Sequence, residues 1–177
     1  MSGPNEQQAF LSLGGNLGEP RRAMAAALRI IDADPQTRVS AVSSVYRTPP
    51  WGDINQPDFL NSAAEVRTTL SARGLLNLCL GAENALKRIR TEVGGPRSID
   101  VDVLYFGGRS YKEPGLEIPH PRMVLRAFVL LPLTEIAPEL ELEGKSVAEH
   151  LAGVDQEGIS IVEHGGNWWR QEVKAEQ

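Results

Sequence analysis

An α+β sandwich, in which helices cover an antiparallel sheet of core order βαββαβ and further elements follow toward the C-terminus, is the fold class that the 177 residues predict. Strand-like and helix-like segments alternate in that order, and prolines and glycines punctuate the junctions. Hydrophobic residues make up 41% of the chain, enough to fill one core and too few residues remain for a second. The expected organisation is one domain over residues 1–165 and a tail, 166–177, whose Trp168-Trp169 pair has no assigned role.

Ala9-Phe10-Leu11-Ser12-Leu13 reads as the first strand, with Gly14-Gly15-Asn16-Leu17-Gly18 as the turn that ends it. Pro20 suits a first helical position, Met24, Ala27, Leu28 and Ile31 recur at helical spacing, and Pro35 stops the run. Val39 to Tyr46 and Phe59 to Thr69 are β-rich, and the prolines of Thr48-Pro49-Pro50-Trp51-Gly52-Asp53 between them cannot continue a ladder. Leu75, Leu78, Ala82, Leu86 and Ile89 form a second helical stripe, Gly94-Gly95-Pro96 breaks it, and Ile99 to Phe106 is another strand. A helix around Arg126 to Ile136, ended by Pro138, follows a loop-rich stretch.

A net charge of −5 argues against broad attraction to nucleic acid or to an anionic membrane, so a polyanionic ligand must meet a local basic patch. No run approaches the ~20 apolar residues of a membrane span, and the first residues lack a secretory signal. Cys79, the only cysteine, lies in an apolar run and reads as a buried thiol in a reducing compartment, so a cytoplasmic location is expected.

The strongest chemical signal is the pair Asp100 and Asp102. Alternation with Ile99, Val101 and Val103 puts both carboxylates on one strand face, roughly 7 Å apart, where a hard dication such as magnesium would relieve their repulsion. A solvated sheet face is the plainer reading. Lys87, Arg88, Arg90 and Arg97 lie just upstream, the mix of cations and carboxylates that phosphate chemistry needs. Lys87 and Arg90 follow Glu83 at helical spacing and could simply pair with it. Arg88 and Arg90 can serve one site only if the helix ends near Leu86, and that break is expected. Phe59 and Asn61 share a strand face that suits a flat heterocycle, and His120 stands between two prolines that hold the backbone extended. Gly144-Lys145-Ser146 lacks the opening glycine of a P-loop and reads as an ordinary turn.

Taken together, Tyr46-Arg47-Thr48-Pro49-Pro50, Gln56-Pro57-Asp58-Phe59-Leu60-Asn61, Gly95-Pro96-Arg97-Ser98-Ile99-Asp100-Val101-Asp102 and Ile118-Pro119-His120-Pro121 resemble the 6-hydroxymethyl-7,8-dihydropterin pyrophosphokinase family over roughly Phe10 to Pro138. The resemblance implies a ferredoxin-like fold and transfer of pyrophosphate from MgATP to the pterin hydroxymethyl group, with release of AMP, in folate synthesis. It implies that Asp100 and Asp102 hold two magnesium ions and that Arg88 and Arg97 contact the reacting phosphates. Thr48, Pro49, Trp51, Phe59, Asn61 and Phe128 would bind the pterin, and Leu76, Glu83, Arg90, Arg97, Val103, His120 and Arg126 the nucleotide. The partners are then these two small molecules, with no nucleic acid or membrane and a monomeric chain.

Three departures stand out: Gly15 replaces a serine, Gly94-Gly95 replaces an Arg-Trp-Gly stretch with one residue fewer, and Gly115 replaces a loop arginine. A leaner catalytic loop costs more entropy to order, so weaker ATP binding or slower closure is expected. The alternative is a non-catalytic pterin-binding or regulatory protein on the same fold. An aldolase acting on a related pterin is a second rival, one that needs no paired magnesium carboxylates.

Overall fold

The computed structural model describes residues 5–50, 57–90 and 99–170, and of 87–90 the backbone alone. Its core follows the expected order: β1 (Gln7–Gly15), α1 (Pro20–Asp32), β2 (Thr37–Val42), β3 (Val45–Thr48), β4 (Phe59–Thr68), α2 (Ala72–Arg90) and β5 (Asp100–Phe106). A hairpin of β6 (Tyr111–Glu113) and β7 (Leu116–Ile118) follows, then α3 (Ala127–Ile136), a second hairpin of β8 (Glu141–Leu142) and β9 (Lys145–Ser146), α4 (Val147–Ala152) and β10 (Ser160–Glu163). The main sheet is antiparallel in the order β10-β3-β4-β1-β5, with β2 also paired to β4.

Period-two alternation explains the layers. Ala9, Leu11 and Leu13 of β1, Ala64 and Val66 of β4 and Val101 and Val103 of β5 face α1 and α2 in one buried cluster. Phe10, Ala63 and Leu104 point the other way, onto Val129, Leu130 and Leu133 of α3 and Leu151 of α4. Cys79 is fully buried, and burial first of all pushes its thiol up to about 12, so it remains an inert core residue as its setting in the sequence indicates.

Three local features differ from expectation. The segment Val39 to Tyr46 is two strands, because Ser43 interrupts the ladder: Ala63 N–H donates to Ser43 Oγ at 2.9 Å, and the register moves from Val42↔Ala64 to Tyr46↔Asn61, one residue extra on the β2–β3 side. Gly14 and Gly15 belong to the first strand rather than to a turn, since both stay in register with Asn61 and Leu60 of β4. Backbone helix continues through Arg90, so the break expected near Leu86 does not occur; the stripe Leu75, Cys79, Ala82 and Leu86 is buried in the α1/α2-side core. The chain bends at Pro119, after a cis Ile118–Pro119 peptide, and turns at Pro121 and Arg122 into a short 3₁₀ turn, Met123–Leu125.

Trp168 and Trp169 are each 2% exposed and lie in the α1/α2-side core, so this part of the tail is structural. Trp168 Nε1–H donates to Ser43 O at 2.9 Å, and the Arg29 guanidinium donates to Trp169 O at 2.7 Å. Of Gly144-Lys145-Ser146 only Gly144 lies in a turn: Glu143 and Gly144 form the tight β8–β9 connection, Lys145 and Ser146 are β9 itself, and Ser146 caps α4 in a reciprocal capping box with Glu149.

Candidate active site

The site grows out of the sheet face that looks toward α3. On it, Thr48 lies opposite Phe59, Tyr46 opposite Asn61, and Gly14 stands between Asn61 and Asp100. Asp102 pairs with Ser12 in the next row. With strands about 4.8 Å apart, the row from Asn61 across Gly14 to Asp100 is roughly 10 Å wide, the breadth of a two-ring heterocycle with room for a reacting group at its end. Asn61 is 4% exposed and its Nδ2–H donates to Thr48 Oγ1 at 2.9 Å, which fixes which way the amide faces. A Cβ built on Gly14 would stand 2.6 Å from Asn61 Oδ1, so the missing side chain is what makes space for that amide.

Asp100 is half-buried and Asp102 exposed, while Val101 and Val103 between and beyond them are core residues. The pair therefore shares one accessible face, as their alternation in the sequence indicates. Glu83 reaches this strand from α2 and is 7% exposed; the Val101 N–H donates to its Oε2 at 2.6 Å. Its visible task is to satisfy the outer edge of β5.

A cavity of about 340 Å³ beside Asp102 is lined by Leu76, Val103, the β7 residues Leu116 to Ile118, and His120. It brings together four of the expected nucleotide and metal residues, Leu76, Asp102, Val103 and His120, from three segments distant in sequence. Burial lowers the pKa of His120, Asp102 opposes that shift, and Arg126 and Arg122 reinforce it. The imidazole is thus neutral near pH 7, able to donate and accept one hydrogen bond each. Gly115, which also lines this cavity, has φ of +76° in the two-residue β6–β7 turn, a left-handed conformation that favours glycine. The Arg73 guanidinium holds this hairpin by donating to Glu113 and to Pro114 O, both at 3.0 Å.

Thr48, Pro49, Arg126 and Phe128 line a different cavity, of about 640 Å³, together with Asp155, Glu157 and Ile159 of the C-terminal segment. Arg126, expected at the nucleotide, lies here with its guanidinium over the Phe128 ring, 5.6 Å from the centroid. Pro132 has no N–H to offer the Phe128 carbonyl, so the first turn of α3 lacks one ladder bond beneath this aromatic. Trp51 and Arg97 lie outside the described residues, and the side chains of Arg88 and Arg90 lie outside the description as well.

A family model described as 7,8-dihydro-6-hydroxymethylpterin-pyrophosphokinase (HPPK) matches residues 10–138. The chain belongs to this family. HPPK membership makes it an ATP-dependent pyrophosphokinase of folate biosynthesis. Similar proteins named 2-amino-4-hydroxy-6-hydroxymethyldihydropteridine pyrophosphokinase include one from Methylorubrum extorquens, 47% identical over 156 residues that cover 88% of this chain and 99% of that protein. One from Pseudomonas aeruginosa is 41% identical over 86% of this chain and 95% of that protein. Among solved structures, a Plasmodium falciparum HPPK-DHPS crystal structure matches with a TM-score of 0.67 at 15% identity, covering 83% of this chain and 43% of that one. At that identity the likeness shows the fold, which is the HPPK fold and agrees with the α+β sandwich read from the sequence.

The residues that sequence reasoning missed are Gly14, read there as turn, and Ser12, its neighbour on the same face. A glycine inside an otherwise apolar strand pattern is the signal that could have found the first, since it marks a close approach of another group.

Proposed function

We propose that the sheet face between Phe59 and Phe128 binds 6-hydroxymethyl-7,8-dihydropterin, and that the cavity beside Asp102 and His120 binds ATP. Asn61, oriented by Thr48, and the backbone around Pro49 read the pterin's hydrogen-bonding edge, with the rings of Phe59 and Phe128 above and below it. The hydroxymethyl oxygen then points along the row toward Asp100 and attacks the β-phosphorus of ATP. An oxygen–phosphorus bond forms as the bond to the α,β-bridging oxygen breaks, AMP leaves with that electron pair, and the hydroxyl proton is released to solvent.

Among the described residues no group of three or more histidine, cysteine, aspartate or glutamate side chains gathers into a metal cage. Two carboxylates on one open face suit magnesium well, because it is usually held by one or two carboxylates together with substrate phosphates. Bound there, magnesium would orient the phosphates and neutralise their developing charge. Two ions, held by Asp100 and Asp102, are the stoichiometry we favour. Roles for Arg88 and Arg97 at the phosphates, for Arg90, Leu76, Glu83, Val103 and Arg126 at the nucleotide, and for Trp51 at the pterin rest on the family resemblance. A single catalytic domain, monomeric and cytoplasmic, completes the reading; among the described residues no helix is long and apolar enough to cross a membrane.

The observation that carries this reading is the shared face of Asp100, Asp102, Gly14 and Asn61. It is tested by AMP formation from ATP and magnesium, with and without 6-hydroxymethyl-7,8-dihydropterin. The expected result is pterin-dependent AMP that falls at least about a hundredfold in Asp100→Ala and in Asp102→Ala, as when one transition-state charge partner is removed. Pterin-independent turnover, or full activity in both variants, would overturn it.

A further inference from the structure

The C-terminal segment from Val154 to Trp169 lies beyond the residues that the family model matches, yet it runs along the edge of the site. It is fastened at both ends. Val154 N–H donates to Leu151 O at the end of α4, and Trp168 and Trp169 are sunk into the core at the other end. In between, β10 pairs with β3 through Ser160↔Arg47 and Ile161↔Tyr46. The ladder stops there, because the next residues on the β3 side are Thr48 and then two prolines, and a proline has no N–H to donate.

Packing replaces the ladder at this point. Gly158 has φ of +86°, within a turn closed by Ile159 N–H on Gln156 O, and a Cβ built on it would stand 3.1 Å from Pro49 Cγ and 3.4 Å from Pro49 Cδ. The Pro49 ring is therefore seated directly on the Gly158 backbone. Thr48, one residue earlier, is the group that orients the Asn61 amide. Asp155, Glu157 and Ile159 line the same cavity as Thr48, Pro49 and Phe128.

We infer that Gly158 is a positioning residue: the strap from Val154 to Glu163 sets where Thr48 and Pro49 sit, and through them the affinity for the pterin, without touching the reacting atoms. The inference rests on the pterin assignment proposed above. It predicts that a side chain at position 158 pushes the Pro49 ring outward, raises KM for the pterin and leaves the chemical step and the nucleotide site alone.

The test is steady-state AMP formation with pterin and ATP each varied, for the unaltered full chain, Gly158→Asn, Gly158→Ala and Gly144→Ala. Asparagine tolerates a left-handed backbone better than alanine does, so Gly158→Asn places the same Cβ against Pro49 with less strain on folding. Gly144 has a similar φ of +83° but nothing within 4 Å of a built Cβ, so its variant controls for backbone strain alone. The expected result is a pterin KM raised roughly five- to tenfold in both Gly158 variants, the range that moderate overpacking gives. Values of kcat and of the ATP KM should stay within about twofold, and Gly144→Ala should match the unaltered chain. In a Pro49→Ala background the increment from Gly158→Asn should vanish, since the ring it displaces is gone. A pterin KM unchanged in Gly158→Asn, an equal change in Gly144→Ala, or an increment that survives in Pro49→Ala would overturn the inference. Absence of pterin-dependent AMP from the unaltered chain would instead overturn the reaction assignment itself.

Discussion

Gly14 shows how much one absent methyl group decides. Its Cα lies in the strand row between Asn61 and Asp100, and any Cβ would meet both the Asn61 amide and the Leu60 carbonyl, the latter at 3.3 Å. Gly14→Ala should turn the Asn61 side chain away from Thr48 at an overpacking cost of about 1–3 kcal/mol. We expect most of that to appear as weakened pterin binding, measurable by calorimetry or as a raised KM, with magnesium and ATP binding retained. An unchanged pterin affinity would show that the Asn61 orientation does not matter. The same close approach separates this glycine from Gly144, whose positive φ serves only a hairpin turn.

At the scale of elements, the site depends on how α3 is tied to β3, because one carries Phe128 and the other Thr48. Glu135, one residue before the end of α3, accepts from Ser44 N–H and Ser44 Oγ–H at 3.0 Å each and from the Tyr46 hydroxyl at 2.7 Å. Burial first, and then the bond to Glu135, pushes the Tyr46 pKa up, so the phenol stays a donor at every physiological pH. Glu135→Ala leaves the Ser44 N–H and the Tyr46 hydroxyl without this partner, a loss of about 1–3 kcal/mol by the usual cost of stranding buried donors. Urea denaturation should read that loss, and a variant as stable as the parent would mean that water replaces the carboxylate fully. The continuous α2 helix belongs to the same scale. Arg88 and Arg90 both lie on this unbroken helical backbone.

For the whole molecule, the C-terminal segment closes the structure over α1. Arg21 forms a two-point ion pair with Glu163 and donates to Trp168 O at 3.3 Å, while the Trp168 ring is buried among core residues. Trp168→Ala should cost about 3–5 kcal/mol, the range for emptying a buried aromatic site, and should lower the thermal midpoint accordingly. The ion pair is a smaller matter. Both side chains keep about a third of their surface exposed, 30% and 35%, so at most ~1 kcal/mol is at stake. The hydrogen bond to Arg21 holds the Glu163 carboxyl below its ordinary value of 4.5. A carboxyl lowered in this way stabilises the fold fully above that value and loses its contribution as pH falls through the folded pKa. Glu163→Gln should therefore be less stable than the parent at neutral pH, and the difference should fade below about pH 4.5 in a pH series of thermal melts. A difference that persists unchanged at acid pH would assign it to packing rather than charge.

Local regularities in the chain were enough to determine the order βαββαβ, the placement of α1 between Pro20 and Pro35, the burial of Cys79 and the common face of Asp100 and Asp102. Each follows from periodicity or backbone stereochemistry within a few residues, and such information survives without knowledge of what packs against it. The family, too, was legible, because its motifs are contiguous. What needed the tertiary structure was everything set by contacts distant in sequence. Ser43 splits a strand because its hydroxyl meets Ala63, Gly14 stays in a strand because Asn61 lies beside it, and α2 keeps its helical backbone through Arg90, beyond the buried Leu86. Trp168 and Trp169, unreadable as a tail, are core residues because Ser43, Arg21 and Arg29 receive them. A sequence states what each residue can satisfy, and only the fold determines which partner, tens of positions away, arrives to satisfy it.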